Sequence, residues 1–134
     1  MKKEIAKKWV KALRSGKYKQ GKTYLKQVYY NGQAHHCCLG VLCELYNNTM
    51  KKKSITVWNR KKTLSTQISS KTSTEPNYVT FNGKAGELPG VVMEWAGINS
   101  PLGNFEIYSL ADLNDRGATF ESIANIIEKN VENL

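Results

Sequence analysis

This chain has no uninterrupted apolar stretch of the roughly 18 residues that a membrane helix needs, so no membrane-spanning segment is expected. Lysines break every apolar run of its opening residues, MKKEIAKKWVKAL, which therefore lack the hydrophobic centre of a secretory signal. Cysteine occurs only three times, an odd count, and Cys37 and Cys38 are adjacent. That pattern does not make a disulfide framework, and a reducing cytosol is the expected setting. Histidine is rarer still: His35 and His36 are the only two, side by side with the cysteines. A cysteine nucleophile would therefore have no histidine elsewhere in the chain to act as its base. No carboxylate dyad appears either. Acids are scarce over residues 1–84, three against eighteen Lys and Arg, whereas residues 85–134 carry eight acids against two basic residues. The front thus carries a net +15 and the rear −6, together the formal +9. A basic front and an acidic rear fit an anionic ligand, or two halves of one domain that attract each other.

The densest stretch is 34–46, AHHCCLGVLCELY, preceded by Val28-Tyr29-Tyr30-Asn31-Gly32-Gln33. Asn-Gly accepts positive φ at both centres of a type I′ turn, so a hairpin over 24–38 is expected. Facing residues then pair Tyr30 with Gln33, Val28 with His35 and Leu25 with Cys38. Leu39, Leu42, Cys43 and Tyr46 recur at helical spacing, which predicts that the second strand passes straight into a buried helix over 39–46. Strand alternation would send His35 and Cys37 to one face and His36 and Cys38 to the other. A tetrahedral metal site needs three or four converging ligands, so the pattern favours small buried thiols over zinc. No metal and no cofactor are expected.

Around this unit, a first helix from about Lys2 to Ser15 buries Ile5, Trp9, Ala12 and Leu13, with Gly16 as its terminating residue. Its lysines read most simply as a solvated face. Residues 47–77 turn rich in Lys, Ser, Thr and Asn and read as a variable insertion, either a weak extra hairpin (Ile55–Trp58 with Leu64–Ile68) or a long loop. Residues 78–81 form a strand. Pro89 opens a short helix closed by Gly97, residues 105–108 are extended, and Ser109 starts a further helical turn. Thr119 caps a last helix with the stripe Phe120, Ile123, Ala124, Ile127, Val131, Leu134. The fold class expected is α+β in one domain over 1–134: a small antiparallel sheet, hairpin 24–38 plus strand 78–81, covered by N-terminal, central and C-terminal helices.

Several of these residues recur together. Trp9-x-x-Ala12-Leu13-Arg14-Ser15-Gly16-x-Tyr18-x-Gln20, then Cys37-Cys38-Leu39-Gly40-Val41-Leu42-Cys43, Leu88-Pro89, Trp95-Ala96-Gly97, and Leu113-Asn114-Asp115-x-Gly117-x-x-Phe120-x-x-Ile123-Ala124 resemble, as an ordered set, a family of small uncharacterised proteins encoded by bacteriophages and prophages. The resemblance leaves out roughly residues 47–80. It implies a phage protein working in the cytoplasm of a bacterial host, and by association one that counters host defence.

Cations alternate with aromatic and amide side chains at Arg14, Tyr18, Gln20 and Lys22, and again around Trp58, Arg60 and Lys62. Guanidinium groups grip phosphates and aromatic rings stack on bases. The expected function is therefore non-catalytic binding and sequestration of an anionic, nucleotide-like signal, with Arg14, Tyr18, Gln20, Lys22 and Arg60 as ligand-binding residues. The alternative partner is a macromolecule, a nucleic acid or a host defence complex, met through the basic surface; a homo-oligomer is left open. Arg14 also admits a structural role, as a clamp onto Asp115 that would tie the two ends of the chain together.

Overall fold

The computed structural model describes residues 1–52, 65–68 and 76–134, residues 52 and 65–68 by their backbone alone. Among these, α1 is Lys3–Arg14, β1 Lys19–Gln20, β2 Lys26–Val28, β3 Ala34–His36, α2 Cys38–Lys52, β4 Ser65–Ile68 and β5 Asn77–Phe81. Then follow α3 Gly90–Ala96, β6 Asn104–Phe105, β7 Tyr108–Ser109, α4 Leu110–Asp115 and α5 Phe120–Asn130. The expected α+β class holds, with helices flanking a small sheet. No helix among the described residues is long and apolar enough to cross a membrane.

The sheet has five strands in the order β1-β3-β2-β5-β4, with β6 and β7 as a separate pair. Its antiparallel centre is the expected hairpin joined by the 77–81 strand. At one edge, Lys19–Gln20 pairs parallel with His35–His36, an addition the sequence did not suggest. At the other edge, residues 65–68 pair with β5. The predicted insertion is thus partly built into the fold: residues 47–52 prolong α2 well beyond the expected end at 46, and 65–68 extend the sheet. The expected Ile55–Trp58 strand lies outside the described residues.

The hairpin register is one residue off the expectation. Lys26 pairs with His36, Gln27 with His35 and Val28 with Ala34. The loop has three residues, not two: the Gly32 amide donates to the Tyr29 carbonyl at 2.8 Å, and Tyr29 in turn donates to the Gln33 carbonyl at 2.9 Å. Of Asn31 and Gly32, only Gly32 takes a positive φ, 82°, while Asn31 Oδ1 accepts the Gln33 amide at 3.0 Å. That side-chain bond fixes a bulged loop in which one left-handed residue suffices.

α2 is the centre of the molecule. Cys38, Leu39, Val41, Leu42 and Cys43 are all fully buried, which for two turns leaves the helix apolar all round, as a helix inside a core must be. It packs on α1, α3, α4 and β3. Gly40 sets the distance: a Cβ there would lie 1.7 Å from the Leu25 carbonyl oxygen, so only glycine lets the helix rest on that backbone. Trp9 on α1, fully buried, donates its indole N–H to the Cys38 carbonyl at 2.9 Å and pins α1 to the start of α2. α1 buries Ile5, Ala6, Trp9, Val10 and Leu13 and lies along α5, whose buried face is Phe120, Ile123, Ala124 and Ile127. The Ser109 and Thr119 hydroxyls cap α4 and α5, accepting from Asp112 and Ser122 at 3.1 Å each.

Candidate anion-binding cleft

α1 ends at Arg14, and Gly16, at φ 74°, turns the chain back so that Lys17 and Tyr18 face the outer side of α2. The Ser15 hydroxyl donates to the Ala12 carbonyl at 2.6 Å and accepts the Lys17 amide at 3.1 Å, which fixes the turn. Between the end of α1, this turn and α2 lies a cleft of about 510 Å³. Lys8, Lys11 and Lys17 supply three cations to its walls and no acid among the described residues lines it; Ala12, Tyr18 and Leu45 form its apolar part, and Ser15, Asn48 and Thr49 its neutral polar part. Lys17 Nζ stands 5.6 Å from the centre of the Tyr18 ring. A second groove of about 450 Å³, between α1 and the end of the chain, mixes Lys3, Lys7 and Lys129 with Glu128 and Glu132. Its two carboxylates offset most of its positive charge, so the Tyr18 cleft suits an anion better.

Behind Tyr18 sits a group of titratable side chains. The His36 ring meets the Tyr18 ring edge-on, centroids 5.2 Å apart at 85°. His36 Nε2 lies 3.9 Å from Glu44 Oε1, and Lys26 Nζ lies 3.8 Å from the same oxygen. Burial pushes the Glu44 carboxyl up, but His36, Lys26 and Lys17 together outweigh it and hold Glu44 below the usual carboxylate range. Burial, helped by the charge of Glu44, raises the Tyr18 phenol above its ordinary value.

Of the four sequence-predicted residues that are described, Arg14, Tyr18, Gln20 and Lys22, Tyr18 alone lines the cleft. Gln20 faces inward on β1, where its Nε2 donates to Asn114 Oδ1 at 2.9 Å and to the Ala118 carbonyl at 2.7 Å, and its Oε1 accepts the Phe120 amide at 3.1 Å. It is a structural residue that caps α5. Fully buried Asn114 completes this hub: Oδ1 also accepts the Cys38 amide at 3.1 Å, so it caps α2, and Nδ2 donates to the Gly21 carbonyl at 2.8 Å. Lys22 is exposed in the loop after β1, and Arg60 lies outside the described residues.

Arg14 is a clamp, but not onto Asp115. Its Nε donates to Glu121 at 3.2 Å, and Nη2 donates to Glu128 at 2.6 Å and to Asn125, all three on α5. Hydrogen bonding to Glu128 raises the guanidinium further above its ordinary value and holds the Glu128 carboxyl below its own. Asp115 instead accepts the Thr23 amide at 2.8 Å. The corrected pairing has a physical reason: Glu121, Asn125 and Glu128 stand at helical spacing on the α5 face that runs beside α1, whereas Asp115 ends α4.

Lys8, Lys11, Lys17, Asn48 and Thr49 were missed by sequence reasoning. The signal was the spacing of Lys8, Lys11 and Ala12 on one face of α1, and of Leu45, Asn48 and Thr49 on one face of a helix expected to stop at 46. The thiols are free and buried. Burial pushes Cys37 up to about 11 and Cys38 and Cys43 well above the ordinary thiol value, so the thiolate that nucleophilic chemistry requires is suppressed. Cys38 starts α2 rather than ending a strand, and its Sγ donates to the Leu110 carbonyl at 3.6 Å. Among the described residues no three His, Cys, Asp or Glu side chains are placed to hold a metal.

No curated protein and no solved structure matches this chain. One family model, Domain of unknown function (DUF8296), matches residues 1–131, and the chain belongs to that family.

Proposed function

We propose that this member of the DUF8296 family is a non-catalytic binding protein that captures an anionic, nucleotide-like small molecule in the cleft between α1 and α2. The observation that carries the reading is the convergence of Lys8, Lys11 and Lys17 on a concave site with an aromatic wall and, among the described residues, no lining acid. Ammonium groups there meet phosphate oxygens, Ser15, Asn48 and Thr49 supply neutral hydrogen bonds, and Tyr18 offers a face or edge to a ring. Buried thiols that burial pushes above their ordinary value speak for binding rather than turnover. Together with the resemblance to phage-encoded proteins, this gives the fuller reading. The protein works in the cytoplasm of an infected bacterium and sequesters a nucleotide signal of host defence.

Isothermal titration with a nucleotide panel tests it. The wild type is expected to bind at least one nucleotide with one-to-one stoichiometry per cleft, and Lys8→Glu with Lys11→Glu to abolish the binding without lowering the melting temperature. Undiminished binding in that double variant overturns the cleft as the site.

A second reading rests on the exposure of Lys3, Lys7, Lys8 and Lys11 along α1, a basic face long enough to meet a nucleic-acid backbone. Binding to DNA or RNA would then weaken steeply and linearly in log salt, whereas capture in a cleft survives moderate salt.

A further inference from the structure

His36 is 5% exposed, yet among the described residues neither of its ring nitrogens has a hydrogen-bond partner, and Glu44 Oε1, also buried, has none there either. At 3.8 and 3.9 Å, Lys26 Nζ and His36 Nε2 stand near Glu44 Oε1 but beyond hydrogen-bond length. Buried polar groups in native proteins are nearly always satisfied, and a cluster of orphaned atoms asks for an explanation. This cluster shares a wall with the cleft. Tyr18 lines the cleft on one side and covers His36 with its edge on the other. On α2, Glu44 precedes Leu45 and stands one turn before Asn48, both of which line the cleft. The Glu44 and Lys26 side chains keep 20% and 24% of their exposure, so the cluster is not sealed.

We infer that the His36–Glu44 pair behind Tyr18 is the base-reading end of the cleft, so that the captured anion carries a nucleobase. This rests on the anion-binding reading above and narrows it. A carboxylate oxygen accepts and an imidazole N–H donates; side by side, they match the donor-beside-acceptor edge that a nucleobase presents. Adenine and cytosine offer an amino group next to a ring nitrogen, and guanine and uracil an N–H next to a carbonyl. The phosphates lie on Lys8, Lys11 and Lys17. Tyr18 is the side chain that turns aside to admit the base, and it follows Gly16, around which no atom would crowd even a Cβ. An inorganic polyphosphate satisfies the lysines but leaves His36 and Glu44 without partners.

Titration calorimetry separates the two layers. The probes are ATP, GTP, CTP, UTP, cyclic di-AMP and cyclic di-GMP, with inorganic tripolyphosphate as the base-free control. At least one nucleotide is expected to bind ten-fold or more tightly than tripolyphosphate, and Glu44→Gln to collapse that preference below three-fold by weakening the nucleotide, with no loss of tripolyphosphate affinity. In the wild type, where no substitution can disturb the fold, ¹⁵N spectra of the two histidine rings report directly. The ring nitrogens of His36 shift on adding the preferred nucleotide and not on adding tripolyphosphate. Tripolyphosphate bound as tightly as every nucleotide, or a preference intact in Glu44→Gln, overturns the base-reading end and spares the cleft. No binding of any probe overturns both.

Discussion

Two polar clusters flank the start of α2, and they treat their hydrogen bonds in opposite ways. At Asn114, buried without exposure, Oδ1 takes two donors and Nδ2 reaches two acceptors, the second being Asp115 at 3.4 Å. Gln20 beside it spends its whole amide on Asn114, Ala118 and Phe120. At His36, 5% exposed, and Glu44, whose side chain keeps 20%, three buried polar atoms have no hydrogen-bond partner among the described residues. A satisfied network specifies one arrangement of the chain, whereas an unsatisfied one is a standing cost that a fold keeps only for another purpose. The first cluster therefore reads as architecture and the second as a place held open for something else.

Substitutions can break this contrast. Asn114→Ala is expected to do the most damage, because it leaves the Cys38 amide and the Gly21 carbonyl unpaired at once and takes from Gln20 Nε2 one of its two acceptors. At ~1–3 kcal/mol for each buried group left unpaired, with partial relief from water, urea unfolding should register a loss of roughly 3–5 kcal/mol. A loss below ~1 kcal/mol would mean that the hub is decorative.

At the second cluster the expected sign is reversed. Replacing His36 by Phe together with Glu44 by Met exchanges a poorly paired buried set for apolar side chains of similar size. Such exchanges are commonly neutral or stabilising by ~1–4 kcal/mol, and here a gain nearer the lower end is expected because Lys26 stays behind. The same double variant should lose discrimination among nucleotides. A clear destabilisation in urea would show that the pair belongs to the architecture after all.

Arg14→Lys is expected to lower the melting temperature by less than Asn114→Ala, since its three partners lie at the surface. Asp115→Asn should leave the Arg14 contacts to α5 untouched, because Asp115 serves Thr23 instead. Measured in a double-mutant cycle, Arg14 should couple to Glu128 and not to Asp115.

The smallest effect is in the pH dependence. Glu44 is held below its ordinary value of 4.5, so in the folded protein it keeps its charge to lower pH than in the unfolded chain. Its contribution to stability is therefore complete above that ordinary value and lost as pH falls through the depressed one. Thermal melts between pH 6 and pH 3 should show a slightly shallower acid destabilisation in Glu44→Gln than in the wild type.

Much of the architecture was legible, and the reasons differ by element. Thr119, Gly16 and Gly97 behave as local rules demand, because caps and left-handed terminators depend on a few neighbouring atoms. The hairpin was legible in place but not in register: Asn-Gly serves a two-residue and a three-residue loop alike, and the deciding bond, Asn31 Oδ1 to the Gln33 amide, is not written in the residue types. Gln20 and Arg14 were singled out by chemistry and assigned to a ligand. Their true partners lie more than 90 residues away in sequence. For Arg14 a clue existed, the row Glu121, Asn125, Glu128 on one face of the last helix. For Gln20 there was none, since an inward-facing amide on a two-residue parallel edge strand leaves no periodic trace. The cleft was obscured for a similar reason: half of it is the outer face of a helix whose last turns carry polar residues that resemble a loop.

The Asn114 hub also has a consequence in time. Residue 114 closes bonds to residues 20, 21 and 38, and the Phe120 amide closes on residue 20. A chain made from its amino end emerges with α1, the hairpin and α2 in hand, but with the first amide of α2 uncapped and the Gln20 amide empty. Contacts of such long sequence separation slow folding, because the intervening loop must be ordered before they return anything. The early half, which also carries the excess positive charge, is expected to stay incompletely packed until the acidic stretch from 110 to 128 joins it. Ribosome-stalled chains ending before and after residue 120 should differ sharply in protease resistance, with the change coming all at once rather than element by element.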